Sequence, residues 1–111
     1  MGDRGQVLIK DNGVYLYTHW GASDLVQTVR AALARGKDRW HDDEYLTRII
    51  FSEMIKDDLM GTTGYGIGHS EHGDCWNVIS VDCSKQIVSY CDREDEDHEI
   101  AFDDFIVVEQ I

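Results

Sequence analysis

The chain has 111 residues, 42% of them hydrophobic, and a formal net charge of −12. That length suits one domain with a single core, and no apolar run approaches the ~20 residues that span a bilayer. The acid excess disfavours direct nucleic-acid binding, in which each phosphate contacted needs a cation, and leaves a basic protein partner or plain solubility as its natural account.

The charge is unevenly placed: residues 1–91 carry −4 and residues 92–111 carry −8, with Arg93 the lone base of the second stretch. The opening residues, Met1-Gly2-Asp3-Arg4-Gly5, contain no apolar signal core, and Gln6 stands where a myristoylation motif wants Ser or Thr. Cys75, Cys83 and Cys91 are odd in number, lack a CxxC pair and sit in strand-like sequence, which fits reduced, buried thiols. A cytoplasmic location without a membrane segment is the expectation.

Gln6 to Trp20 reads as a β-hairpin. Asn12-Gly13 is the preferred pair for a two-residue turn needing φ > 0 at both positions, which would set Ile9 opposite Leu16 and Val7 opposite Thr18. Val7, Ile9, Val14, Leu16 and Trp20 would then share one face, and Leu8, Tyr15, Tyr17 and His19 the other. Two apolar faces place the pair inside a sheet rather than at its edge. Ser23 is a good N-cap for a helix to Arg35, with Leu25, Val26, Val29, Ala32 and Leu33 as its buried stripe and Gly36 as its stop. A second helix starts near Asp42, carries Leu46, Ile49, Ile50 and Met54 inward, and ends around Asp58 to Gly61. Thr62 to Gly68 reads as glycine-rich turn. Cys75 to Cys83 and Gln86 to Cys91 alternate as strands around a turn at Ser84-Lys85. Residues 92–97 form a charged loop, His98 to Ala101 a further strand, and Phe102 to Ile106 a helical turn packing two phenylalanines. The order is ββααβββ plus a short C-terminal element: a single α+β domain, because helices and strands are segregated.

The stretch Gly13-Val14-Tyr15-Leu16-Tyr17-Thr18-His19-Trp20-Gly21, followed by Arg35 to Trp40 and by Tyr45-Leu46-Thr47-Arg48-Ile49-Ile50-Phe51, resembles a group of small bacterial, archaeal and phage proteins of uncharacterised activity. The likeness covers most of residues 1–68, and its most specific part is Tyr-Leu-Tyr-Thr-His-Trp-Gly. It implies a compact stand-alone domain at home in mobile or viral genomes, and it implies no site.

Catalytic signatures are missing. Gly61 to Gly68 has no preceding strand, no lysine and no following helix, so it fails as a phosphate loop. No GxSxG elbow or catalytic-cysteine signature occurs. His69, His72, Asp74 and Cys75 are the densest set of metal-ligand types, but their spacing matches no established zinc module, and no cofactor is expected. Tyr17, His19 and Trp20 at the end of the hairpin, with Arg39 and Trp40 between the helices, are candidates for a ligand or hot-spot surface. Trp40 in particular has no obvious core to enter. The feature with most physical leverage is the run Asp92, Glu94, Asp95, Glu96, Asp97 and Glu99. Carboxylates so spaced resemble a line of phosphates, and a protein carrying them is able to occupy a basic nucleic-acid-binding groove. The expected function is a non-enzymatic acidic binding protein, in the manner of a phage inhibitor of a host nucleic-acid-targeting system. The alternative is a small-ligand or metal-binding protein, a hydrolase included, built on His69, His72 and the aromatic hairpin end.

Overall fold

A computed structural model describes residues 2–73, 75–91 and 96–107. In chain order its elements are β1 (Gly5–Ile9), β2 (Val14–Thr18), α1 (Leu25–Arg35), α2 (Asp43–Ile55), β3 (Tyr65–Gly68), β4 (Asn77–Asp82), β5 (Ile87–Cys91), β6 (Asp97–Ala101) and α3 (Phe102–Phe105). The strands make one six-stranded sheet in the order β3-β2-β1-β4-β5-β6. Every neighbouring pair is antiparallel except β1 and β4, which run parallel at its centre.

Side-chain alternation divides the sheet into two unlike faces. Val7, Ile9, Leu16, Ile79, Val81 and Val88 are fully buried beneath the helices. Leu25, Val29, Ala32 and Leu33 of α1 and Leu46, Ile50 and Met54 of α2 face them, as the helical periodicity predicts. The opposite face holds Gln6, Leu8, Tyr15, Tyr17, Ser80 and Ser89, and no helix of the described residues covers it. The α+β architecture therefore has one dry face and one open face.

The hairpin departs from the expected register by two residues. Val7 lies opposite Leu16 and Ile9 opposite Val14, so four residues, Lys10 to Gly13, join the strands. Of the pair Asn12-Gly13 only Gly13 has a positive φ, 73°. The Asn12 side chain is engaged elsewhere: its amide donates to Asp43 Oδ2 at 2.8 Å and to Thr47 Oγ1 at 3.1 Å, and its oxygen accepts from the Val14 amide. Those bonds to α2 favour the longer loop. Asp11, beside it, accepts from the Cys83 amide and from the amide and hydroxyl of Ser84, tying this loop to the β4–β5 turn. Burial opposes ionisation of Asp11, but these hydrogen bonds outweigh it and hold the carboxyl below its ordinary range.

Two further expectations are corrected. Ser23 does not cap α1; a 3-10 turn at Ala22–Asp24 precedes the helix, and the Ser23 amide donates to Asp3 Oδ2 at 2.7 Å. Residues 65–68 are not turn but strand β3, paired along β2. Its glycines weaken strand propensity, and the edge offered by β2 supplies the hydrogen bonds that override it. Where α2 was expected, Asp42 does cap it, accepting from the Tyr45 amide at 3.2 Å.

Trp40 finds the core that the sequence did not reveal. Its side chain is 6% exposed, its indole N–H donates to the Leu33 carbonyl at 2.8 Å, and its ring meets Phe102 edge-on at 5.2 Å. Phe102 and Phe105 are fully buried. Phe102→Ala is expected to lower unfolding free energy by about 3–5 kcal/mol in a denaturant titration. Val107→Ala, at a side chain 68% exposed, is expected to change it by less than ~0.5 kcal/mol. Equal effects would remove Phe102 from the core.

Candidate functional site

The acidic stretch enters the described structure at Glu96; Asp92, Glu94 and Asp95 lie outside the described residues. β6 is the last strand of the sheet, and Val88 pairs with Ile100 while Ser89 pairs with Glu99 and Cys91 with Asp97. Ile100 packs toward the core, so alternation turns Asp97 and Glu99 onto the open face, where both are exposed. Asp103 and Asp104 follow on α3 and are exposed as well. Residues 96–107 thus carry five carboxylates and no lysine or arginine.

Asp97 and Glu99 do not stand on a flat surface. With Val78, Ser80, Ser89, Tyr90, Cys91 and His98 they line a groove of about 410 Å³ along β4, β5 and β6. Its lining combines two serine hydroxyls and a thiol with two carboxylates, and Tyr90 and His98 complete it. Chemically this combination accepts hydrogen bonds and favours a cation, so a lysine or arginine side chain suits it. Among the described residues neither Asp97 nor Glu99 forms an ion pair. Paired across β5 and β6, Tyr90 and His98 stack at 4.9 Å with their rings 20° apart, which stiffens the strand pair.

The cysteines of this region differ in character, and none forms a disulfide. Cys91 is half-buried at the groove and Cys75 is half-buried before β4, whereas Cys83 is buried at the end of β4. Burial, and then the charges of Asp11 and Asp43, push the Cys83 thiol up to about 12. It is a packing residue, not a nucleophile.

A second cluster lies across the sheet at the end of β2. Gln6, 1% exposed, donates to the Ser70 carbonyl at 3.1 Å and accepts from the His72 amide at 2.9 Å. That clamp lays the 69–73 segment over the open face and brings the His72 ring to 5.1 Å from Tyr17. The Tyr17 hydroxyl is 3.1 Å from His19 Nδ1, and His19 meets Trp20 edge-on at 5.4 Å. Trp20 is 54% exposed rather than core, and it packs on Gly64, where a Cβ would lie 2.0 Å from its ring. Gly64 has φ 92°, and its carbonyl accepts from the His19 amide at 2.8 Å.

The candidates for metal do not converge. His69 and His72 are exposed, Cys75 is half-buried, and Asp74 lies outside the described residues. No group of three His, Cys, Asp or Glu able to hold a metal ion occurs among the described residues. Of the pair between the helices, Trp40 is in the core and Arg39 is at the surface, its guanidinium 4.7 Å from the centre of the Tyr45 ring. No helix among the described residues is long and apolar enough to cross a membrane.

Sequence reasoning missed Ser80 and Ser89 as groove residues and Asp103 and Asp104 as a continuation of the acidic edge. Strand alternation in 97–101 was the available signal for Asp97 and Glu99 sharing a face; the register that sets serines beside them left no mark in the sequence. Comparison with family models, with curated proteins and with solved structures finds no match to this chain.

A thiol reagent in mildly alkaline buffer is expected to label Cys91 and Cys75 in the native protein and to leave Cys83 unmodified until denaturant is added. Native-state labelling of Cys83 as fast as that of Cys91, read by peptide mass, would contradict its burial.

Proposed function

We propose that this chain is a non-enzymatic binding protein that presents the carboxylates of β6 and α3 to a basic surface on a protein partner. The observation that carries the reading is the groove in which Asp97 and Glu99 stand with Ser80 and Ser89, neither carboxylate forming an ion pair among the described residues. Two residues along a strand separates carboxylates by about 6.5–7 Å, a spacing in the range of successive phosphates on a nucleic-acid strand. A rigid edge so charged competes for the cations of a nucleic-acid-binding groove, and its long-range field speeds the encounter. An inhibitor of a nucleic-acid-targeting system, acting by mimicry, is the form of this function that the charge supports best, and the resemblance to proteins of mobile genomes agrees with it.

A second reading, a small ligand or metal ion held at the hairpin end, draws on one specific feature: Tyr17 brings His19 and His72 to the same ring. Elemental analysis separates the two. Stoichiometric zinc in the purified protein, lost in a His19→Ala, His72→Ala double variant, would favour the second reading.

For the first reading the test is charge reversal. The variant Glu96→Lys, Asp97→Lys, Glu99→Lys is expected to keep the wild-type unfolding midpoint and to lose the partner that the wild-type chain retains from a host lysate. Wild-type binding is expected to weaken steadily with added salt. Retention of the same partner by the reversed variant, or binding indifferent to salt, would sink electrostatic mimicry.

A further inference from the structure

On the helix layer, away from the acidic groove, the chain does the reverse and gathers cations. Tyr45, Arg48 and Ile49 stand at i, i+3 and i+4 on α2 and therefore share a face. Arg39 reaches the same place from the 3-10 turn Lys37–Arg39. Together these residues line a concavity of about 430 Å³, within the range of about 300–1,000 Å³ typical of small-molecule sites.

Arg39 is positioned by its backbone and by an aromatic ring rather than by a carboxylate. Its amide donates to the Gly36 carbonyl at 2.8 Å, its own carbonyl accepts from the Asp42 amide at 3.0 Å, and the next residue, Trp40, is anchored in the core. The guanidinium lies over Tyr45, which leaves its N–H edges available for an anion. Among the described residues neither Arg39 nor Arg48 forms an ion pair. Of the acids near in sequence, Asp42 accepts from the Tyr45 amide and Asp43 from Asn12, while Asp38, next to Arg39, and Glu44, one turn before Arg48, form no ion pair with either arginine among the described residues.

Two guanidiniums at one concavity, with no carboxylate among the described residues that line it, make an anion receptor. The half-exposed Tyr45 ring and Ile49 add a surface for a planar apolar group. The volume exceeds what a bare phosphate fills. The overall charge of −12 does not forbid this, because exposed charges beyond about 8 Å are screened at physiological salt. We propose that Arg39, Tyr45 and Arg48 bind a mononucleotide, its phosphate between the guanidiniums and its base against Tyr45. This site is independent of the acidic groove and stands or falls separately from it.

The experiment is an NMR and calorimetric titration of the full chain with adenosine monophosphate, inorganic phosphate and adenosine. Adenosine monophosphate is expected to shift the amide signals around Tyr45 and Arg48 and to bind more tightly than either fragment. Arg39→Ala and Arg48→Ala are each expected to weaken it about tenfold to a hundredfold with an unchanged unfolding midpoint. Tyr45→Ala should weaken the nucleotide and leave inorganic phosphate unaffected, and Glu44→Gln should strengthen both. The Glu96→Lys, Asp97→Lys, Glu99→Lys variant should bind the nucleotide at least as well as wild type. The proposal is overturned if no signal near Arg48 moves, if Arg48→Ala binds unchanged, or if phosphate or adenosine alone binds as tightly as the nucleotide.

Discussion

The contact on which the functional surface depends is the edge-to-face packing of Trp40 on Phe102, 5.2 Å between ring centres. It joins the segment between the two long helices to the last helical turn of the described chain. Phe102 is held from a second direction by its amide, which donates to the Gln86 carbonyl at 2.8 Å, and Phe105 from a third, by Arg30, whose Nε donates to its carbonyl at 2.7 Å. The Arg30 guanidinium also lies 4.6 Å from the Phe105 ring centre. Because β6 runs directly into this anchor, its carboxylates are displayed by a fixed strand. An acidic segment without such an anchor would spread its charge over many positions and lose the entropy of ordering when bound.

The same carboxylates answer a structural demand. A strand at the edge of a sheet offers unpaired backbone groups to any other chain. The sheet has two such edges and treats them differently. β3 is short, with glycine at two of its four positions, and so makes a poor template. β6 is five residues long and carries exposed acids, which repel a second copy of itself. A charge pattern that blocks self-association admits one kind of visitor, a surface of opposite sign. Protection of the edge and the proposed recognition of a basic partner are therefore one property seen from two sides.

The fold was largely readable from the sequence, for reasons that can be located. Period-two alternation placed Val7, Ile9 and Leu16 on one face and Tyr15 and Tyr17 on the other. The 3.6-residue stripe picked out Leu25, Val29, Ala32 and Leu33, and the pair of phenylalanines marked α3. What failed was everything decided by distant partners. The hairpin register followed Asn12, whose amide is drawn to Asp43 and Thr47 of α2. Strand β3 exists because β2 had an edge to fill, and Ser23 was drawn into a 3-10 turn, its amide bonding Asp3, twenty residues away. Trp40 looked stranded beside Arg39 because the residue that receives it, Phe102, lies far along the chain. The site was readable in its charge but not in its shape. Glu96, Asp97 and Glu99 were evident as acids, whereas the groove beneath them depends on serines from β4 and β5 brought alongside by pairing. The meeting of Arg39 with Tyr45 and Arg48 depends on a 3-10 turn that leaves no periodic signal.

Together these features divide the molecule by charge. Acids line the open face and terminal edge of the sheet; two arginines share a concavity on the helix layer at the other side of the core. Were the net charge only a device for solubility, there would be little reason for the cations to be spared pairing, since an acidic chain has carboxylates to spare for each of them. Arg35 shows what pairing looks like here: it bonds Glu53, Ser52 and the Ile49 carbonyl, and the charges of Lys56 and Arg35 help hold the Glu53 carboxyl below its ordinary range, behind the hydrogen bond from Lys56. Arg48 lies on α2, as Glu53 does, with Glu44 one turn before it, and stays unpaired among the described residues. An arginine kept from a carboxylate within reach retains its hydrogen-bonding capacity, and a carboxylate kept from a cation retains its field. Both are costs in stability that packing at Trp40 and Phe102 is large enough to offset, and both leave the surface able to bind.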